Sequence, residues 1–123
     1  MDSDVLIEVL RGRKPEILQQ WHDLALSSEA VYYSPVSAAE VGHGMRERER
    51  LAVERLFAAL TCMPIDEEIG RRAGKFLQAF HASHGLELGD ALIAATAAVY
   101  ELMLWTQNRK HFPMKEVRFF VEH

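Results

Sequence analysis

Four short runs of aromatic, aliphatic and β-branched residues, "AVYYS" (30–34), "CMPI" (62–65), "LMLW" (102–105) and "VRFFV" (117–121), are separated by stretches whose apolar residues recur at helical spacing. This alternation limits the fold more than any other feature. Strands joined through helices pair in parallel, because a parallel connection needs a long crossover and that crossover is right-handed. The expected architecture is an α/β domain of three layers, with helices on both faces of a short, mostly parallel sheet.

The helical segments carry their own start and stop signals. Pro15 suits the first turn of a helix, and Ile17, Leu18, Trp21, Leu24 and Ala25 follow at helical spacing as far as Ser27 and Ser28. Ser37 opens a second helix that continues, with a break near Gly42 and Gly44, into "LAVERLFAAL" (51–60). Asp66, Glu67 and Glu68 make an acidic helix start, Ile69, Ala73, Phe76, Leu77 and Phe80 give that helix its apolar stripe, and Gly85 closes it. A last helix starts near Asp90 and runs through "ALIAATAAVY", apolar nearly all round and therefore buried. Trp21, Trp105 and the phenylalanines belong to the core by default.

Bulk properties bound the function classes. A chain of 123 residues without repeats, low-complexity tracts or linkers reads as one domain, 1–123. Its formal charge of −4 argues against a dedicated nucleic-acid clamp but leaves room for an enzyme that touches nucleic acid briefly. Basic clusters at Arg11, Arg13 and Lys14, at Arg46, Arg48 and Arg50, at Arg71, Arg72 and Lys75, and at Arg109 and Lys110 read first as solvated helix faces and ends. Cys62 is the only cysteine, so neither an intrachain disulfide nor a Cys-based zinc site is expected, and a cytoplasmic location fits best. No apolar run approaches the roughly 20 residues of a membrane span, and no signal peptide is visible.

The acids carry the chemistry. In "MDSDVLIEVLRG" (1–12), Asp4 is placed to cap a helix begun by Val5, Leu6, Val9 and Leu10. Glu40 could close a capping box with Ser37, Asp90 could be a simple N-cap, and Asn108 a turn residue. Each local reading is sound alone. Yet Asp2, Glu40, Asp90 and Asn108 all fall at expected junctions where the ligand crevice of an open parallel sheet lies. Carboxylates gathered there repel one another, a cost that a divalent cation cancels by taking them as oxygen ligands.

At these residues the sequence resembles a known family. "DSDVLIEVLRG" (2–12), "SPVSAAEVGHG" (34–44), "LGDALIAATA" (88–97) and "WTQNRKHF" (105–112) are similar, in order and spacing, to the four signature blocks of PIN-domain ribonucleases, especially VapC-like toxins of toxin–antitoxin pairs. The resemblance implies an endoribonuclease dependent on Mg²⁺ or Mn²⁺, with Asp2, Glu40 and Asp90 as the first, second and third metal-binding acids. It places Asn108 as the fourth catalytic position, Thr106 as the accompanying hydroxyl, Arg109 on the substrate side and Asp4 in a helper role. It also implies an RNA substrate, a cognate antitoxin covering the acidic groove, and a homodimer formed through apolar helix faces. No membrane partner is implied.

Relatives of this kind have several apolar residues before the first Asp, whereas only Met1 precedes Asp2. A truncated first strand and a weakly anchored Asp2 are therefore expected. A non-catalytic PIN-like module that binds a partner or RNA is the alternative. An acid-pocket receiver domain would need a Lys after the last strands and an apolar run before its acids, and neither is visible. His81 and His84 lack a third ligand and read as surface residues. His111 stands where some relatives carry an acid, suited to a phosphate contact or a turn.

Overall fold

The computed structural model describes residues 1–120, and within them short parallel strands alternate with helices as expected. The chain divides into two compact units, one of Met1–Met63 and one that begins at Pro64.

The first unit opens with α1 (Ser3–Arg11), capped by Asp2, whose Oδ1 accepts the Ser3 N–H at 2.7 Å. The capping residue is thus Asp2, and Asp4, expected in that place, lies inside the first turn. Val5 and Leu6 are the buried apolar face of this helix. After the turn at Gly12, Arg13 Nη2 reaches back to Glu8 Oε1 at 2.5 Å and clasps the helix end. Pro15 then starts α2 (Pro15–Leu26) in the role expected of it.

A short strand, β1 (Tyr32–Tyr33), leads into α3 (Pro35–Gly44). This helix starts two residues before the expected Ser37. Pro35 takes the first helical position, where its fixed φ is already helical and its missing N–H costs nothing, and Ser34 supplies the cap by accepting the Ser37 N–H. The break after the Gly42–Gly44 region is present: Met45 is extended, a 3-10 turn spans Glu47–Glu49, and α4 (Arg50–Ala58) follows. The next strand, β2 (Thr61–Cys62), is displaced toward the N-terminus from the expected 62–65, because Pro64 has no N–H to extend a ladder. It pairs in parallel with β1, Tyr32 with Thr61 and Tyr33 with Cys62.

Leu6, Val41, Val53, Leu56 and Leu60 form the core of this unit, so α1, α3 and α4 each contribute to one cluster. Phe57 and Tyr33 stack at 4.5 Å between ring centroids, tying β1 to α4. Trp21 packs at the margin of the cluster, half-buried.

In the second unit α5 (Glu67–His84) runs as expected from its Asp66 cap, whose Oδ1 accepts the Ile69 N–H at 3.0 Å, to Gly85. Gly85 adopts φ +65° and donates its N–H to His81 O at 2.9 Å, the left-handed closure that a residue with a Cβ enters at a cost. The next helix, α6 (Leu88–Val99), begins two residues before Asp90, so Asp90 lies in its first turn instead of capping it. Its Ala91, Ile93, Ala94, Ala95, Thr96 and Ala97 are buried, and it packs along α5, where Ile69, Ala73 and Phe76 are buried in turn. The alanines allow the helix backbones to come close while the larger Ile and Phe fill the space between them. β3 (Met103–Leu104) and β4 (Arg118–Phe119) complete the unit as a second parallel ladder, with a 3-10 turn at Arg109–His111 between them. Trp105 is buried beneath it and meets Phe120 at 5.3 Å. Val121, the end of the expected last strand, lies outside the described residues.

Both ladders are parallel, and both are shorter than the runs that signalled them. Strands of two residues are fixed mainly by the helices packed beside them, which explains why helix starts were the clearer signal.

Two glycines of this region should respond oppositely to the same change. Gly74 lies inside α5, and a Cβ there would meet nothing within 4 Å. Gly74→Ala should therefore stabilise the protein by about 0.5–1 kcal/mol, and Gly85→Ala, forced to hold a positive φ, should destabilise it by about 1 kcal/mol. Urea unfolding of the two variants beside the parent checks both signs.

Candidate active site

Two of the expected acids meet in the first unit, and a serine joins them. Ser3 N–H donates to Asp2 Oδ1 at 2.7 Å, and Ser3 Oγ donates to Glu40 Oε1 at 2.6 Å. One residue at the start of α1 thus fixes a carboxylate from its own turn and another from α3. Asp2 and Ser3 are buried, while Glu40 is exposed, so the pair lies at the boundary between interior and solvent.

Glu40 takes no part in a capping box. With α3 starting at Pro35, Glu40 stands in the second turn, beyond reach of a capping role, and Ser37 sits inside the helix with its hydroxyl directed to Met1 O at 3.4 Å. The same placement corrects the expectation of a weakly held Asp2. The Met1 nitrogen donates to Tyr32 O at 2.7 Å, so the segment before Asp2 is pinned to β1 on one side and to α3 on the other. Burial pushes the Met1 amine down to about 6, against the pull of the Asp2 and Asp4 charges.

The second unit carries the remaining candidates. Asp90 is the third residue of α6, half-buried, where the N-terminal end of the helix dipole favours an ionised carboxylate. Thr106, buried just after β3, accepts the Asn108 N–H on its Oγ1 at 3.0 Å and so shapes the turn that presents the exposed Asn108. Arg109 is held by the ladder beside it: Nη2 donates to Phe120 O at 3.0 Å and the guanidinium lies 5.2 Å from the centre of the Phe119 ring.

Hard oxygen donors suit Mg²⁺ or Mn²⁺, and the Ser3-linked Asp2 and Glu40 are a donor set of that kind. Among the described residues, no group of three or more His, Cys, Asp or Glu side chains is gathered closely enough to hold a metal ion. His81 and His84 are exposed on α5 as expected, with His81 Nδ1 at 2.8 Å from Leu86 O.

Sequence reasoning passed over Ser3. Its only signal was a hydroxyl directly after the first acid, and its partner is 37 positions away in sequence, a link that only folding creates.

Fold and site together define a class. The PIN domain model matches residues 1–118, and the chain belongs to the PIN-domain family. Ribonuclease VapC10 of Mycobacterium tuberculosis is 45% identical over 117 residues, an alignment covering 94% of this chain and 86% of that protein. A toxin–antitoxin complex from Klebsiella pneumoniae contains a chain that is 25% identical and superposes with a TM-score of 0.76 over 94% of this chain and 92% of its own length. The crystal structure of VapBC2 from Rickettsia felis, bound to a promoter DNA fragment, shares the fold at a TM-score of 0.81 and 16% identity, over 97% of this chain and 94% of that one.

Ser3→Ala should cost about 1–2 kcal/mol, since a bond to a charged acceptor is lost and Glu40 Oε1 is left without it. In a double-mutant cycle with Glu40→Gln, measured by thermal unfolding, the two changes should be coupled by at least about 0.5 kcal/mol. Strict additivity would show that the Ser3–Glu40 bond does not act as a unit.

Proposed function

We propose that this protein is a divalent-metal-dependent endoribonuclease of the VapC kind, a toxin held in check by a cognate antitoxin. The observation that carries this is the Ser3-linked pair of Asp2 and Glu40 at the start of α1 and on α3, in a chain whose residues 1–118 match a family with relatives named as ribonucleases. The occurrence of similar chains in toxin–antitoxin complexes supports the antitoxin partner.

In this reading Asp2 and Glu40 would hold Mg²⁺ or Mn²⁺, with Asp90 as the third acid of the family pattern, and the ion would supply an activated water and relieve charge on the phosphate oxygens. The remaining work falls to the chain. Ser3 keeps the first two carboxylates oriented, so their rotamers are set before RNA arrives. The N-terminal end of α6 favours negative charge at Asp90, and a carboxylate is the form that a hard cation takes as a ligand. Asn108, on a turn shaped by Thr106, offers an amide to a phosphate oxygen without adding a fourth negative charge. The overall reaction adds water across one P–O bond of RNA, leaving one fragment with the phosphate and the other with a hydroxyl. A homodimer and a cytoplasmic setting complete the proposal. In keeping with it, no helix among the described residues is long and apolar enough to cross a membrane.

Asp90→Asn tests the assignment, because the amide keeps the shape and removes a charge that the metal requires. Cleavage of total RNA in the presence of Mn²⁺ should fall by at least about 100-fold, with the melting temperature nearly unchanged, and chelation of the metal should abolish cleavage by the parent. Parental activity in the variant would refute the role of Asp90.

A further inference from the structure

The second unit has an open groove of about 690 Å³ along α5 that none of the proposed catalytic residues lines. Arg72, Lys75, Phe76 and Phe80 fall at i, i+3, i+4 and i+8 and so share one stripe of the helix, and Lys115 and Glu116 from the turn before β4 form the facing rim. Phe76 is buried as the floor, and Phe80 is half-exposed, its ring 5.6 Å from that of His84.

The groove gathers cations that no carboxylate among the described residues neutralises. Arg11, Arg13, Arg50 and Arg71 each lie against a glutamate, within 3.5 Å. Arg72, Lys75 and Lys115 form no ion pair among the described residues, and Glu116 alone opposes three cations. A chain of net charge −4 has thus left a local excess of positive charge beside an aromatic face. The nine steps from Lys75 to the end of α5 at His84 rise roughly 13 Å, so Arg72 and Lys75 stand well away from the turn that leads to Asp90.

Unpaired cations along a groove with an exposed ring are what single-stranded nucleic acid requires: phosphates follow the charge and a base stacks on the ring. An acidic protein segment would also be matched by the cations, but it would meet the ring only through an apolar residue placed beside its acids, whereas every nucleotide carries a flat π-face next to its phosphate. We infer that this groove binds the backbone of single-stranded RNA beyond the cleaved bond, with a base against Phe80. The inference rests on the ribonuclease reading and adds to it a second contact zone, one that governs how tightly the substrate is held and not the chemical step.

The test uses the full chain in an Asp90→Asn background, which removes cleavage, and a fluorescein-labelled oligouridylate of about twenty nucleotides, long enough to span more than one site of the usual size. By fluorescence anisotropy, changing Arg72, Lys75 and Lys115 together to Gln should weaken binding about tenfold. It should also lower the slope of log Kd against log salt by about 2, three phosphate contacts at about 0.7 each. Phe80→Leu should weaken binding a few-fold with the slope unchanged, separating stacking from charge. In the chain with Asp90 intact, the triple change should raise KM and leave kcat as it was. Equal affinity and slope in parent and triple variant, with the parent still cleaving RNA, would overturn the groove and spare the ribonuclease reading. Displacement of the RNA by polyglutamate as effectively as by unlabelled oligouridylate would also overturn it, in favour of an acidic protein partner. A parent that neither binds nor cleaves RNA would overturn both.

Discussion

The hydroxyl of Ser3 is the point on which the first half of the candidate site depends. A carboxylate on a helix end and another on a neighbouring helix repel each other, and without a shared donor each would turn toward solvent or a nearby arginine. Ser3 offers its N–H to Asp2 and its Oγ to Glu40, so both acids are oriented by one residue whose backbone is itself fixed in the first turn of α1. The burial of Val5 and Leu6 on the same helix supplies the rigidity, since α1 cannot rotate without exposing them. Hydrophobic packing thus sets the position of the polar groups, and the polar groups set where a cation could be held.

The second unit solves a similar problem by other means. Asp90 lies in the first turn of α6, where the helix dipole favours its charge, and α6 packs along α5, where Ile69, Ala73 and Phe76 are buried. Asn108 is set by a turn that Thr106 braces from within. Arg109, which sequence reasoning placed on the substrate side, spends its guanidinium on Phe120 O and the Phe119 ring and so serves the ladder beside the turn. Arg50 and Arg71 are paired with glutamates, whereas Arg72, Lys75 and Lys115 of the α5 groove form no ion pair among the described residues.

Local chemistry was enough to read most of the elements from the sequence. Asp66 and Gly85 bound α5 because a side-chain acceptor and a residue tolerant of positive φ act over three or four positions, within the horizon of a sequence motif. The buried character of α6 followed from composition alone, and so did the alternation that dictates parallel pairing. Four signature blocks in order are likewise a pattern that one chain carries by itself, and they single out Asp2, Glu40, Asp90 and Asn108 as site candidates.

Where two local signals competed, tertiary structure decided. The sequence points to Asp4 as the cap of α1, yet Asp2 takes that place, in a helix whose Val5 and Leu6 are buried on its inner face. Ser37 with Glu40 matched a capping box, yet Ser34 and Pro35 took the helix start and left Glu40 a turn further on, free for Ser3. Asp2 had little sequence before it to suggest support, and it is held by bonds from Met1 to Tyr32 and from Ser37 to Met1. The bonds from Ser3 to Glu40, from Met1 to Tyr32 and from Ser37 to Met1 each join residues more than thirty positions apart. The sequence by itself determined which residues can cap, donate or carry charge, since those are properties of a side chain and its near neighbours. Only the fold decided which partner each one found, because burial removes the choices that solvent would otherwise leave open.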